Sequence, residues 1–342
     1  MRALLYERFG GDVAVADVPD PVAPDGGAVI RVAASGLCRS DWHAWAGHDD
    51  TVRLPHVPGH EFAGEVVAVG AGVERWRAGD RVTAPFVNGC GRCDWCAAGQ
   101  AQVCPDQTQP GFTHWGSHAE LVVVRAADLN LVAVHDEISA DAAAALGCRF
   151  ATAYRAITAR AGIRPGEWLA VYGAGGGGLS AVQIAAGLGA RVVAVDPSPQ
   201  ARELAARLGA DLVLDAGPDA PAAIAQLTGG GAHVSLDAVG APQTASAAVL
   251  SLRRRGRHVQ VGLLADAATA IPLGRVLAWE LDVLGNHGMP AADYPQLLEL
   301  VRSGILDPQR LLTGTVTLAE AADLLPLPVM PTAGITILHP GR

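Results

Sequence analysis

Four of the six cysteines in this chain stand within one short stretch, as Cys90-x2-Cys93-x2-Cys96-x7-Cys104. That spacing lets four thiolates reach one tetrahedral centre. A zinc ion held by four sulfurs has no open position and is a poor Lewis acid, so its part would be to cross-link a loop. An iron–sulfur cluster or two disulfides would use the same residues. The Gly- and Asp-containing surroundings and a reducing compartment favour zinc. The other two cysteines, Cys38 and Cys148, are far apart, and His60 lies in Pro58-Gly59-His60-Glu61. Two thiolates and one imidazole around one ion leave a vacancy, which is the make-up of a catalytic zinc site. Taken singly, each has a plainer reading: small buried cysteines and a satisfied core histidine.

A different chemistry is carried by Gly173-Ala174-Gly175-Gly176-Gly177-Gly178, which fits G-x-G-x-x-G at Gly173, Gly175 and Gly178. It follows an apolar run, Trp168 to Tyr172, and precedes a helical pattern, Leu179 to Leu188. The first glycine makes a tight turn, the second lets the backbone approach a pyrophosphate, and the third lets helix and sheet pack closely. The helix start then offers free N–H groups to phosphate. In a chain with 41 glycines such a match alone is a weak signal. Asp196 strengthens it: a carboxylate at the end of the next strand can accept from the adenosine ribose hydroxyls and would repel a 2′-phosphate. NAD is therefore expected over NADP, with Arg202, six residues on, able to soften the preference.

These residues need elements to hold them. Up to about residue 148 the chain is rich in Val, Gly and Pro and shows short alternating runs such as Ala28 to Ala33 and Gly64 to Val69, a β-rich texture. From about 168 strands and helices alternate. Apolar runs at 168–172, 191–196, 212–214, 234–236, 258–261 and 281–284, separated by helices, predict an α/β doubly wound parallel sheet of six strands. One further helix is expected at Tyr294 to Arg302, and the tail Gly334 to Leu338 should return as a strand to the first domain.

Composition closes off other classes. Half of the 342 residues are hydrophobic, enough for two domains with large cores. A formal net charge of −9 with no long basic run argues against nucleic acid or an anionic membrane as a partner; Arg253-Arg254-Arg255 reads as a solvated helix end. No run of eighteen or more apolar residues suggests a membrane span, and Met1 to Glu7 reads as a strand rather than a signal peptide. A cytoplasmic protein is expected. The chain contains no lysine, which excludes Schiff-base chemistry, a phosphate-loop lysine and a Tyr-Lys dehydrogenase mechanism.

Five features in order resemble the zinc-containing alcohol dehydrogenases of the medium-chain dehydrogenase/reductase superfamily, nearly end to end. They are Gly36-Leu37-Cys38-Arg39-Ser40-Asp41, Gly59-His60-Glu61, the four-cysteine loop, Gly147-Cys148 and the Gly173 to Gly178 turn. The resemblance implies a GroES-like catalytic domain of residues 1–149 and 288–342, carrying both zinc sites, and a Rossmann domain of residues 150–287. It implies two zinc ions per chain: Cys38, His60 and Cys148 on the catalytic ion and Cys90, Cys93, Cys96 and Cys104 on the structural one. Glu61 would sit behind the catalytic metal and Asp41 would hold the free nitrogen of His60. Ser40 would accept the substrate proton and His43 pass it to solvent; the plainer reading of His43, an exposed loop residue, is the weaker one. Arg39 would touch the pyrophosphate and Thr152 face the nicotinamide, beside the turn residues Gly173, Gly175, Gly176 and Gly178. Phe86 and Trp115 would line an alcohol pocket, with Leu263 across from them.

The implied activity is reversible, NAD-linked oxidation of a primary or secondary alcohol to an aldehyde or ketone, by a homodimer or homotetramer. Cys148 argues for this branch, since the polyol-type branch has glutamate there. Arg149, where relatives often have a small residue, and Gly334-Ile335, where many have a phosphate-binding arginine, depart from the pattern. A polyol-type or otherwise specialised zinc dehydrogenase is the nearest alternative. A zinc-free reductase of quinones or enoyl groups would lack the Cys38, His60 and Cys148 set, and a non-enzymatic zinc-loop module would not need the glycine turn.

Overall fold

The computed structural model describes residues 1–264 and 268–341. The chain divides into two compact units, Met1–Ala151 with Gly288–Arg302 and Leu312–Arg342, and Thr152–His287 with Ser303–Leu311. The expectation that 288–342 stays together in the first unit is corrected by the last of these segments. Gln183 and Asp307 exchange two hydrogen bonds, side-chain Nε2 to carbonyl at 2.8 Å and backbone N–H to Oε1 at 3.0 Å. Leu306 is fully buried beside Gly187.

The first unit is built on a mostly antiparallel sheet. Its strands run in the order Leu312–Val316, Ile335–Leu338, Ala28–Leu37, Phe62–Val69, Arg81–Thr83 and Val132–Ala133, with Leu121–Val124 also pairing Ala28–Leu37. The tail strand Ile335–Leu338 returns here as expected, antiparallel to Ala28–Leu37. In Ala28–Leu37 the side chains of Arg31 and Ala33 are exposed while Ile30, Val32 and Ala34 are buried, a period of two. From Ala34 onward every residue is buried, so the strand carries Cys38 into the interior. Ile30, Val32, Phe62, Val66, Val82 and Val122 form the core on this sheet.

The second unit is α/β. Among the described residues its sheet has six strands, all parallel, in the order Leu212–Leu214, Arg191–Val195, Trp168–Tyr172, Ala232–Asp237, Leu252–Gln260 and Asp282–Gly285. Trp168–Tyr172 is buried throughout, as a central parallel strand covered on both faces must be. The order reverses beside this strand, which puts the ligand crevice at its carboxyl end, where Gly173 begins. Arg253-Arg254-Arg255 does not end a helix. Helix Pro242–Leu250 stops before it, and the arginines open strand Leu252–Gln260. The pairing register shifts here and Arg255 has φ 59°, so the strand bulges and Arg254 and Arg255 turn outward. Among the described residues no helix is long and apolar enough to cross a membrane.

Candidate active site

In the first unit three distant segments meet. Cys38 ends the buried strand and caps helix Arg39–Trp45. His60 and Glu61 precede strand Phe62–Val69. Cys148 lies in Leu146–Phe150, where the helix widens to a π-helical turn between Ala140–Ala145 and Ala151–Arg155. Such turns free backbone carbonyls and often mark functional sites. Here the Tyr294 hydroxyl donates to the carbonyls of Leu146 at 3.0 Å and Gly147 at 3.3 Å, and the Phe86 N–H donates to Gly147 at 3.1 Å. One ligand atom from each of Cys38, His60, Glu61 and Cys148 lies within 4.8 Å of all the others.

Asp41 organises the histidine. Its carboxylate accepts from the backbone N–H of Cys38 at 2.9 Å and of Gly59 at 3.1 Å, and from His60 Nδ1 at 2.9 Å. Asp41 thus fixes the tautomer: a neutral His60 keeps its proton on Nδ1 and turns its lone pair to Nε2, and the same carboxylate raises the ring's affinity for a cation. His60 is fully buried, and Nε2 has no hydrogen-bond partner among the described residues. A buried, unpaired imidazole lone pair beside two thiols is costly unless a cation takes it. The donor set therefore fits a zinc ion.

The charges around it are compensated. Burial pushes the Asp41 carboxyl up, but the His60 and His118 rings outweigh it and hold it below the usual carboxylate range. Glu61 is raised by burial, and the Arg149 guanidinium offsets only part of that. Arg149 grips both oxygens of Glu61: Nε lies 3.0 and 2.9 Å from them, its backbone N–H donates at 2.8 Å, and Nη2 makes a further close contact. The Cys148 thiol hydrogen-bonds Cys38, lowering the Cys38 pKa and raising that of Cys148. Two phenyl rings flank His60, Phe86 at 6.1 Å and Phe112 at 5.2 Å between centroids. Phe112 was not singled out from sequence; nothing in its local pattern marks it.

The four-cysteine loop folds around short helix Asp94–Ala97 and turn Ala101–Val103. All four sulfurs lie within 4.8 Å of one another, and Cys93 and Cys104 are 3.7 Å apart. A tetrahedral ion with zinc–sulfur bonds of about 2.3 Å sets its sulfurs roughly 3.8 Å apart. The Arg92 backbone N–H lowers Cys90 to about 6, while burial pushes Cys104 up to about 12. Four sulfurs packed this closely suit a cation that would hold them as thiolates, and all six cysteines are free of disulfides.

In the second unit Gly173 has φ 89°, open to glycine but strained for other residues. A Cβ on Gly178 would run into the Gly173 carbonyl, whereas the space above Gly175 is open. Gly175 caps helix Gly176–Gly187. Asp196 accepts from Ala174 N–H at 2.6 Å and Ser198 N–H at 2.8 Å, which ties it to the turn. Arg202 is engaged by the Asp196 carbonyl at 2.6 Å and Asp215 at 3.0 Å. Thr152 Oγ1 is buried with no partner among the described residues, and Leu263 is 65% exposed.

On helix Arg39–Trp45, Arg39 is exposed and stacks over Trp42, and Ser40 and His43 are half-buried. His43 Nδ1 lies 3.0 Å from Nδ1 of exposed His48, which sequence reading passed over. Burial, then Arg39 and His48, push the His43 pKa down. Trp115 is a correction. It donates to the Pro55 carbonyl at 3.1 Å and packs on Ala3, Val57 and Ala119, while Phe86 and Phe112 are the rings beside His60. Its own hydrophobic cluster gave it a better burial site.

Comparison with known proteins agrees with this architecture. Residues 24–136 match the alcohol dehydrogenase GroES-like domain and residues 176–303 the zinc-binding dehydrogenase domain. An alcohol dehydrogenase of Geobacillus stearothermophilus is 35% identical over 89% of this chain and 90% of its own length. A sorbitol dehydrogenase of Halalkalibacterium halodurans is 32% identical over 94% of each. The solved alcohol dehydrogenase of Thermus sp. ATN1 superposes with a TM-score of 0.90 at 32% identity, covering 99% of both chains. The chain belongs to the zinc-containing medium-chain alcohol dehydrogenase family and is an oxidoreductase.

Proposed function

We propose that this protein catalyses NAD-linked, zinc-dependent interconversion of a primary or secondary alcohol with its aldehyde or ketone. The observation that carries the proposal is the fully buried His60 Nε2, unpartnered beside Cys38 and Cys148. Cys38, His60 and Cys148 would hold a catalytic zinc, and Cys90, Cys93, Cys96 and Cys104 a second, structural one. Bound zinc would supply Lewis acidity toward a substrate oxygen, and bound nicotinamide a hydride acceptor.

The chain supplies the rest. Asp41 keeps the His60 proton on Nδ1 and so fixes the ring for ligation. Arg149 occupies both Glu61 oxygens and keeps that carboxylate from completing the ligand set. Ser40 Oγ takes the substrate hydroxyl proton. His43 accepts it at Nε2 and releases its Nδ1 proton to His48, which is exposed to water. A lowered pKa keeps His43 neutral and ready to accept. Phe86 and Phe112 give the substrate apolar walls. Gly173, Gly175, Gly176 and Gly178 cradle the pyrophosphate, with Arg39 and Thr152 as further cofactor contacts. Asp196 receives the ribose hydroxyls. Arg202, held by Asp215, supports Asp196 and does not reach out for a 2′-phosphate. The working assembly is a cytoplasmic homodimer or homotetramer formed along edge strand Asp282–Gly285.

The test combines metal analysis with a screen of primary, secondary, aromatic and polyhydric alcohols against NAD and NADP. Two zinc ions per chain, simple-alcohol oxidation with NAD, and a relaxed cofactor preference in Asp196→Ala are expected. Full turnover by zinc-free protein would overturn the proposal, and activity confined to polyols would move it to the polyol-type branch.

A further inference from the structure

The second unit holds a cavity of about 440 Å3 lined by five arginines, His233 and a single carboxylate, Glu167. It lies where strands Trp168–Tyr172, Ala232–Asp237 and Leu252–Gln260 begin. The glycine turn follows the opposite end of the same parallel sheet, so the cavity is a separate place. Its charge stands out in a chain of net charge −9. Arg257 is bound to the carbonyl of Ala161 at 2.7 Å and to Glu167 at 2.6 Å. Arg255 pairs with Glu280 at 2.8 Å. Two carboxylates therefore answer five guanidinium groups.

His233 adds an independent observation. Its Nδ1 accepts the Trp168 backbone N–H at 3.0 Å, which places the proton of the neutral ring on Nε2. That N–H faces Arg253 Nη1 at 2.8 Å, and arginine has only donors to offer. Moving the ring proton to Nδ1 would transfer the conflict to Trp168. One acceptor thus meets two donors. Burial, followed by the Arg253 charge, lowers the His233 pKa, so the ring is neutral at pH 7. The group this arrangement lacks is an acceptor. One oxyanion oxygen between Arg253 and His233 would satisfy both donors.

We propose that this cavity binds a small multivalent oxyanion, a diphosphate group or a polycarboxylate, at a site distinct from the glycine turn. The volume suits a small molecule. Guanidinium forks match phosphate and carboxylate oxygens, and a concave wall of one sign concentrates the field. The inference does not depend on the proposed dehydrogenase activity.

Isothermal titration at constant ionic strength tests it, with pyrophosphate in one arm and citrate in the other. Wild-type protein, Arg253→Gln and Arg164→Gln are compared; Arg164 is an exposed residue of the lining, so its variant keeps the fold. Saturable binding is expected, weakened about ten-fold or more by Arg253→Gln and less by Arg164→Gln. Tighter pyrophosphate identifies a phosphoryl ligand, and tighter citrate a carboxylate one. Absence of saturable binding in both arms overturns the proposal. So does an affinity that neither substitution changes, which would place the ion at the glycine turn.

Discussion

The two cysteine clusters of the first unit differ in how they are assembled. Cys90, Cys93, Cys96 and Cys104 come from one stretch and face one another around a four-residue helix, Asp94–Ala97. Cys38, His60 and Cys148 come from a strand end, a buried Pro-Gly-His turn and a π-helical turn, and are held by Asp41, Arg149 and Tyr294. A loop cluster of four sulfurs closes itself once a cation is present. In the proposed site the core cluster would supply three ligands and leave a position open, with Arg149 occupying both oxygens of the neighbouring Glu61. Closure suits a structural role and restraint a catalytic one.

Exchanging the lesions between the clusters gives the largest contrast. Cys38→Ala should abolish alcohol oxidation with little change in thermal stability, whereas Cys93→Ser should lower stability by several kcal/mol while folded molecules keep turning over. Steady-state kinetics and calorimetry on both variants check this; equal loss of activity per folded molecule would erase the distinction. Next in size is Arg149→Met, which leaves Glu61 buried without its partner. About 3–5 kcal/mol of stability should be lost, and Arg149→Met with Glu61→Gln should recover much of it in denaturant titrations. The smallest effect concerns the acid range in which metal release from the clusters would be compared. Burial lowers His114 to about 4, below its unfolded value. Unfolded chains therefore take up a proton that folded ones refuse, and stability present above about pH 6.5 falls, by at most about 3 kcal/mol, as pH drops toward 4. His114→Gln should flatten that slope in pH-dependent melting and expose any difference between the clusters.

The loop cluster was legible because its ligands are neighbours in the chain, and spacing alone limits what they can do. The glycine turn was legible for the same reason, since Gly173 to Gly178 and the strand and helix around it are contiguous. The six-stranded parallel sheet followed from apolar runs that repeat with helices between them. For Cys38, His60 and Cys148 spacing carried no information, and only their occurrence together with a family resemblance brought them into one reading. Phe112 and Tyr294 act through contacts between distant segments, which no local pattern encodes, and His48 meets His43 only because the chain turns back at the end of helix Arg39–Trp45. Trp115 shows the reverse error, an aromatic at a plausible place whose partners were chosen by the strand Arg2–Leu5 and its neighbours. Arg253 to Arg255 misled because charge suggests solvent, and a bulge lets a strand reach solvent as readily as a helix end does.

The Tyr294 hydroxyl reaches back 148 positions to the Leu146 carbonyl. During synthesis the loop cysteines are all present once residue 104 has left the ribosome. The turn that presents Cys148 has to wait for nearly the whole chain. A nascent polypeptide halted before residue 294 would already carry every loop cysteine but would lack the hydroxyl that braces the Cys148 turn.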